Sequence, residues 1–441
     1  HFNAQWNSLS LSIPHAHYSI EEAKLRLGYD FKGIVLDSHV HTAGQLETVF
    51  EGQRNALGLP ANFSSVNALL SFSQFTYGQV DVPAFTLEAQ AKEGDIFVKG
   101  GPENSVFFTM DKSGSFESRL TSPMPLRGIV SGNIKGGEIT AFGPSLSLDL
   151  KPVLSLLPAS ILICTSGTAY CDLEIRGLLS DPEFFGTAFV ENFVLELSSF
   201  LANPVTFPTI EVNFDGNEMS IPTITASSGK GEGTVAASFI YDRWIPDTFK
   251  LNVFIPEDRP IGASLNIIGV QYDGLAHGAL NLDLFKEYFS ISGALVASNS
   301  LITIDAQSMA EQIAESGDDL LPILANLSIK TGRKVEFQWP SARFPILRAY
   351  ADANRQVKIN YDGFTDKFSI QGDIPLRGGE VFYVQRNFYL REGRLLLKEN
   401  ELSFDPILSV RAEIRDRNEQ GPVVILLIAD PAPLSRFAPR F

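Results

Sequence analysis

The residue types most able to do chemistry lie at Asp37-Ser38-His39-Val40-His41. Two histidines at i and i+2 on a strand share a face, and with the aspartate they approach a D-x-H-x-H pattern that can hold a divalent metal. His15-Ala16-His17 repeats the spacing, so a four-histidine surface zinc site is a second arrangement to weigh. A metal-hydrolase barrel needs further histidines downstream, and only His277 follows His41. It also needs helices alternating with strands, which the pattern below lacks. A solvated strand face explains these histidines better, and no metal is expected. Ser228-Gly229-Lys230-Gly231-Glu232-Gly233-Thr234 lacks the G-x-x-x-x-G-K-[ST] spacing of a phosphate loop and reads as a turn. Asp318-Asp319 suits a helix start, where the dipole favours acids. No Ser/His/Asp or Cys/His arrangement stands out, so the expectation is a protein without catalytic residues or a cofactor.

Cys164 and Cys171 are the only cysteines, separated by TSGTAY. The spacing fits two strands facing across a tight turn, where a disulfide would imply an oxidising compartment such as a periplasm. Two free structural thiols are the alternative.

The elements that would position any site are strands. Apolar residues make up 44 % of the 441, ample for a core. Ser8–Ile13 reads SLSLSI, Leu146–Leu150 LSLDL, Cys171–Ile175 CDLEI, Leu280–Leu284 LNLDL and Leu301–Ala306 LITIDA. Each alternates with period two, leaving one face to bury and one to solvate. Helical periodicity is scarce: the spacing predicts short helices near 152–157 and 308–327, the latter broken near Gly317 and Pro322. No run of 18 apolar residues suggests a membrane-spanning helix. The fold class expected is all-β. Open twisted sheets seldom exceed about ten strands without curling or splitting, so this many strands point to a solenoid-like body of stacked β units.

Net charge is −16, which argues against a nucleic-acid partner, since phosphate binding needs a basic stripe. From Pro375 onward ten Lys/Arg face nine Asp/Glu, so the acidic excess lies before that point. The near-neutral end holds Arg377, Arg386, Arg391 and Arg394, a candidate partner-facing cluster. Within it, residues 368–414 read as four short strands punctuated by Gly372, Gly378-Gly379, Gly393 and Asp405-Pro406.

Leu173–Leu197 carries Gly177, Leu179, Asp181, Pro182 and Gly186 between alternating strands, and in this it resembles the repeat of the TamB family of bacterial envelope translocation and assembly modules. Gly372, Gly379, Phe388, Gly393, Leu395, Leu397 and Pro406 are similar to the order found in that family's C-terminal domain. The resemblance covers residues 140–441, and weakly those before. It implies an elongated, curled sheet of the β-taco kind, U-shaped with an apolar inner groove, as in AsmA-like bridge proteins. It implies residues 1–330 as a repetitive groove region and 331–441 as a C-terminal TamB-like domain truncated at its end.

The function implied is non-enzymatic: carrying phospholipid between inner and outer membrane in support of outer-membrane biogenesis. The alternative is a scaffold for outer-membrane protein assembly by strand-edge pairing. The partners implied are phospholipid acyl chains and an outer-membrane Omp85-type protein, in the periplasm, with an inner-membrane anchor outside this fragment. An apolar trough suits such cargo, because burying a 16-carbon chain is worth roughly 12 kcal/mol. The lining expected is Leu146, Leu148, Leu150, Leu173, Ile175, Phe193, Leu195 and Leu197, then Leu280, Leu282 and Leu284. Toward the end come Phe368, Ile370, Ile374, Leu408, Val410 and Ile414. Ordinary core packing is the competing reading for each.

Overall fold

The structure, a computed structural model, describes residues 3–6, 8–19, 24–35, 40–54, 60–77, 80–155, 162–197, 200–243, 245–267, 270–285, 287–304, 322–341, 345–365, 367–399, 405–419 and 421–440. The chain is all-β, with few and short helices. In order come β1 (Asn3–Trp6), β2 (Ser8–Ser19), β3 (Lys24–Val35), β4 (Val40–Arg54), β5 (Pro60–Tyr77), β6 (Val80–Val82), β7 (Phe85–Lys92), β8 (Asp95–Gly100), β9 (Val106–Met110) and β10 (Ser115–Leu120). β11 (Leu126–Lys135) and β12 (Glu138–Asp149) lead into the single turn α1 (Leu150–Leu154). β13 (Ile163–Leu178), β14 (Asp181–Glu196), β15 (Val205–Thr206), β16 (Ile210–Gly216), β17 (Glu218–Ser228), β18 (Gly231–Asp242), β19 (Ile245–Ile255) and β20 (Ile261–Ile267) follow. The remainder are β21 (Val270–Leu284), β22 (Phe289–Ile304), β23 (Ile323–Thr331), β24 (Val335–Trp339), β25 (Leu347–Ala351), β26 (Gln356–Asp362), β27 (Lys367–Tyr383), β28 (Arg386–Glu399), β29 (Ile407–Asn418) and β30 (Gly421–Pro433).

Two compact units divide the chain. The first holds His1–Leu195, Phe207–Ile221 and Tyr241–Ile245; the second holds Glu196–Thr206, Pro222–Ile240 and Pro246–Phe441. The division therefore falls well before residue 330, which lies inside β23, a strand paired on both edges.

The first unit is antiparallel through β1 to β5, then β7 to β13, each strand paired to the next of that series. Opposed residues of such a ladder share a face. One row runs Val66, Ala91, Ile96, Met110, Phe116, Gly132, Ala141, Ile175 across eight strands. The neighbouring row on the other face runs Gln90, Phe97, Thr109, Glu117, Ser131, Phe142, Glu174. Alternation in each strand thus adds up to one apolar and one mostly polar face.

A one-residue slip would send every later side chain to the wrong face, and β12 shows how this is avoided. Its pairing with β13 shifts between Gly143 and Leu146, where Ser145 sits at φ 52°. The bulge returns Leu146 and Leu148 to the face of Ala141 and bends the strand. Asp172 holds it, accepting the Ser145 N–H at 2.7 Å. In β14, Asn192 at φ 53° stands between buried Ala188 and Val190 and half-buried Phe193 and Leu195.

In the second unit β21 is antiparallel to β19 and β20 on one edge and to β22 on the other. β22 is then followed in parallel by β23 along Phe289–Ala297 and by β24 along Ser300–Thr303. β26 continues from β23 and β25 from β24, and both rejoin on β27. β28, β29 and β30 complete the series by hairpins. The sheet splits and reunites, and side chains from both halves of β27 and β28 meet in one cluster with those of β24, β25, β29 and β30. In this core Leu347, Val381, Leu408 and Leu427 are 0 % exposed.

Two expectations are corrected and a third is met with shifted bounds. The 368–414 stretch is long strands rather than four short ones: Gly372 and Gly379 lie inside β27, Gly393 inside β28. Gly379 has φ +97° and approaches so closely that a Cβ would sit 2.0 Å from the Arg348 carbonyl oxygen. Here glycine marks a bulge and a tight strand contact, not a strand end. The short helix expected near 152–157 is present two residues earlier as α1, begun by the Asp149 carboxylate accepting the Lys151 N–H at 3.1 Å; residues 156–157 lie outside the described residues. Of the expected 308–327 helix, residues 305–321 lie outside the described residues, and Ile323–Leu327 belongs to strand β23. Parallel pairing with β22 outweighs the local helical spacing there.

Candidate functional site

The feature with functional potential is the apolar face of each unit, and its exposure varies along the chain. In the first unit Val66, Leu70, Leu87, Ile96, Val98, Phe108 and Met110 are only half-buried, as are Leu148, Leu150, Leu173, Ile175, Phe193 and Leu195; Leu197, which belongs to the second unit, is half-buried too. Phe108, Met110 and Ile175 pack against a small buried cluster of Phe116, Ile139 and Ala141 and stay half-exposed beside it. Phe72 stacks on Phe85 at 4.5 Å between ring centroids, extending the same face across β5 and β7. Leu146 is buried, filling the space left by Gly128 and Gly143, whose absent Cβ atoms would lie 2.6 and 2.7 Å from its methyl groups.

In the second unit one row runs Leu251, Leu282, Ile291, Ala325, Tyr361, Phe368, and the next Val253, Leu280, Gly293, Leu327, Ile359, Ile370. The residues of β19, β21 and β22 in these rows, and Leu284, are half-buried; Phe368 and Ile370 are not exposed beyond 7 %. Ile374, Leu408 and Val410 lie in the same packed core, and Ile414 packs against it. These five buried residues, from Phe368 to Val410, and Leu146 in the first unit are corrected from groove lining to packed interior: no ligand surface reaches a side chain enclosed on all sides. Phe388, Leu395, Leu397 and Pro406 build that core as well.

Sequence reasoning placed no lining before Leu146, although FTLEAQAK in β7 alternates as cleanly as the segments chosen. Leu251, Val253 and Ile291 were also missed. Alternation was the available signal; what it lacked was the register that puts the strands' apolar sides together.

The remaining candidates are not brought together. Cys164 and Cys171 occupy one continuous strand, β13, as free thiols. Seven positions at about 3.3 Å each put them roughly 23 Å apart, against an upper limit of about 7 Å between Cα atoms for a disulfide. The facing-strand expectation is overturned because no turn intervenes. Burial pushes both thiols up, so alkylation of the native protein at neutral pH is expected to be slow, with two thiols titrating after denaturation. A mass showing a bonded pair would contradict this.

His39 and the side chains of His15, His17 and His41 lie outside the described residues. The backbone register nonetheless sets His15 opposite Gly28 and His41 opposite Ile34 on β3, about 20 Å apart along the strand. That separation is too great for a shared ion. Of the turn expected over Ser228–Thr234, only Gly229-Lys230 connects β17 to β18, and Gly231–Thr234 already belongs to strand β18. Among the described residues no cluster of His, Cys, Asp and Glu suited to a metal occurs, and no helix is long and apolar enough to cross a membrane.

The four arginines are each engaged by an acid. Arg377 pairs with Asp352 at 2.7 Å, Arg386 with Asp416 at 2.7 Å, Arg394 with Asp373 through two nitrogens at 2.5 and 2.7 Å, and Arg391 with Glu413. The arginine hydrogen bonds hold the carboxyls of Asp373, Glu413 and Asp416 below their ordinary range. A depressed folded-state pKa contributes stability that is present above the unfolded value and lost as pH falls through the folded one. The thermal midpoint is therefore expected to be flat above about pH 5 and to drop below about pH 4, where ordinary carboxylates protonate. A midpoint unchanged down to pH 3 would show that these surface pairs contribute nothing, as many do.

Comparison with protein-family models, curated proteins and solved structures finds no match to this chain.

Proposed function

We propose that this protein holds the acyl chains of phospholipids on its apolar sheet faces and serves lipid transport across a bacterial envelope. One observation carries the reading: an apolar row crosses eight mutually paired strands of the first unit on a single face, and much of that face remains half-exposed. Contiguous apolar surface of this kind is rare without a ligand or partner. The strands bearing it are bonded on both edges, so the face offers a ligand no free backbone N–H or C=O. Its occupant makes apolar contacts alone, which fits an alkyl chain and not a peptide. Each methylene placed there is worth about 0.8 kcal/mol. Extraction of the purified protein and mass spectrometry of the extract test the reading. Phospholipid in at least stoichiometric amount is expected; a lipid-free extract from a folded, undelipidated preparation refutes it.

The scaffold reading also has an observation in its favour. β30 pairs with β29 on one edge, and on the other Ile428 exchanges both backbone bonds with Arg440 at 2.8 Å. Val424 and Leu426 share the parity of Ile428, so their N–H and C=O groups point to that same edge. Both side chains are more than half exposed. An extended client strand could add there by β-augmentation. Client crosslinks concentrated at Val424 and Leu426, with no lipid in the extract, would favour this function over transport.

A further inference from the structure

We infer that the C-terminal core is a stopper: acyl chains occupy the second unit's face only as far as β26, and a strap at Leu434–Arg440 seals the end beyond it. The inference rests on the lipid-binding reading and adds where the path stops.

The rows described above run unbroken from β19 to β27, so composition alone sets no limit on a bound chain. Burial does. Leu251, Leu282 and Ile291 are open to a ligand. Val357, Ile359 and Tyr361 of β26 already pack against the closed core, and Phe368 and Ile370 of β27 lie within it. The change occurs where the split sheet reunites. Beyond that point, residues from both halves of β27 and β28 join a single cluster, Ile370 and Leu395 with Val381 and Phe388. A chain sliding along the face meets filled space at β27. It has to leave sideways, over the strand ends of β19 to β26.

The strap is what completes the filling. Leu434 is buried in the core and Phe437 packs edge-on to Trp339 at 5.3 Å between ring centroids. Asp405 grips the strap, accepting from the Ser435 N–H at 2.9 Å and the Ser435 hydroxyl at 2.5 Å. The Leu434 N–H donates to the Pro406 carbonyl at 3.0 Å. Arg440 closes the far end through Ile428 and an ion pair with Asp430 at 2.8 Å. An apolar plug fastened at both ends by polar contacts is how a removable seal differs from continuous core.

The test loads the unaltered protein with a phospholipid bearing a diazirine at mid-chain, irradiates it, and maps adducts by peptide mass spectrometry. Adducts are expected in 249–255 and 280–291, with at least tenfold lower yield in 368–376 and 395–410. Comparable yields in the two sets overturn the stopper. Adducts in neither set, from protein that also extracts lipid-free, overturn the lipid-binding reading itself. A second arm uses Asp405→Ala with Phe437→Ser to loosen the strap. Labelling of peptides containing Trp339 and Leu347 is expected to rise at least tenfold, and an unchanged map in folded variant removes the strap from the proposal.

Discussion

Leu408→Ala is expected to cost about 3 kcal/mol of stability, whereas Leu282→Ala costs about 1 kcal/mol or less. Both positions are leucines in alternating strands, and from the sequence they are equivalent. Leu408 is 0 % exposed among core neighbours from both halves of the sheet. Its truncation leaves a cavity as well as losing transfer free energy, the combination that makes buried Leu→Ala substitutions cost about 2–5 kcal/mol. Leu282 is half-buried on an uncovered face, so solvent or ligand fills the space left. Urea unfolding of the two variants beside the parent protein measures the difference. Equal losses would mean that the face of β19 to β22 is covered as well as the C-terminal core is, and the open face would have to be abandoned.

The second large effect concerns binding. Val98 and Phe108 are direct partners across β8 and β9 on the apolar face, both half-buried. Val98→Asp with Phe108→Asp places two carboxylates in the band proposed to hold alkyl chains. Desolvating a carboxylate against a lipid tail costs several kcal/mol, so copurifying phospholipid is expected to fall at least tenfold. The matched control lies one residue along. Lys99 and Phe107 are also partners, but on the opposite face. Lys99→Asp with Phe107→Asp adds the same two acids and is expected to leave lipid content within twofold. Circular dichroism of both proteins guards against reading unfolding as lost binding. If the two pairs deplete lipid equally, the distinction between the faces has no functional meaning.

Period-two alternation was sufficient for the all-β class, because a strand's side-chain geometry is written in each five-residue window. SLSLSI, CDLEI and LNLDL fall inside strands, and LSLDL does so up to Asp149. Gly186 shows the limit of motif reading. It is one of the residues on which the family resemblance rests, and its φ of +138° with a Cβ that would stand 2.1 Å from the Asp172 carbonyl oxygen explains why glycine is required. That requirement concerns strand approach and says nothing of a ligand.

What alternation could not show is how far an apolar side chain is covered. Leu282 and Leu408 carry the same local pattern, yet one faces open space and the other a sealed core. The difference arises where β22 passes its pairing to β23 and β24 and β27 collects both branches, contacts between residues dozens of positions apart. Likewise Cys164 and Cys171 look like hairpin partners until the strand is seen to run straight through them. Residue order thus determined which side of each strand is apolar. Only the tertiary structure decided which apolar surfaces close on one another, because burial depends on register and sheet splitting, and these are set by long-range pairing that no local window contains.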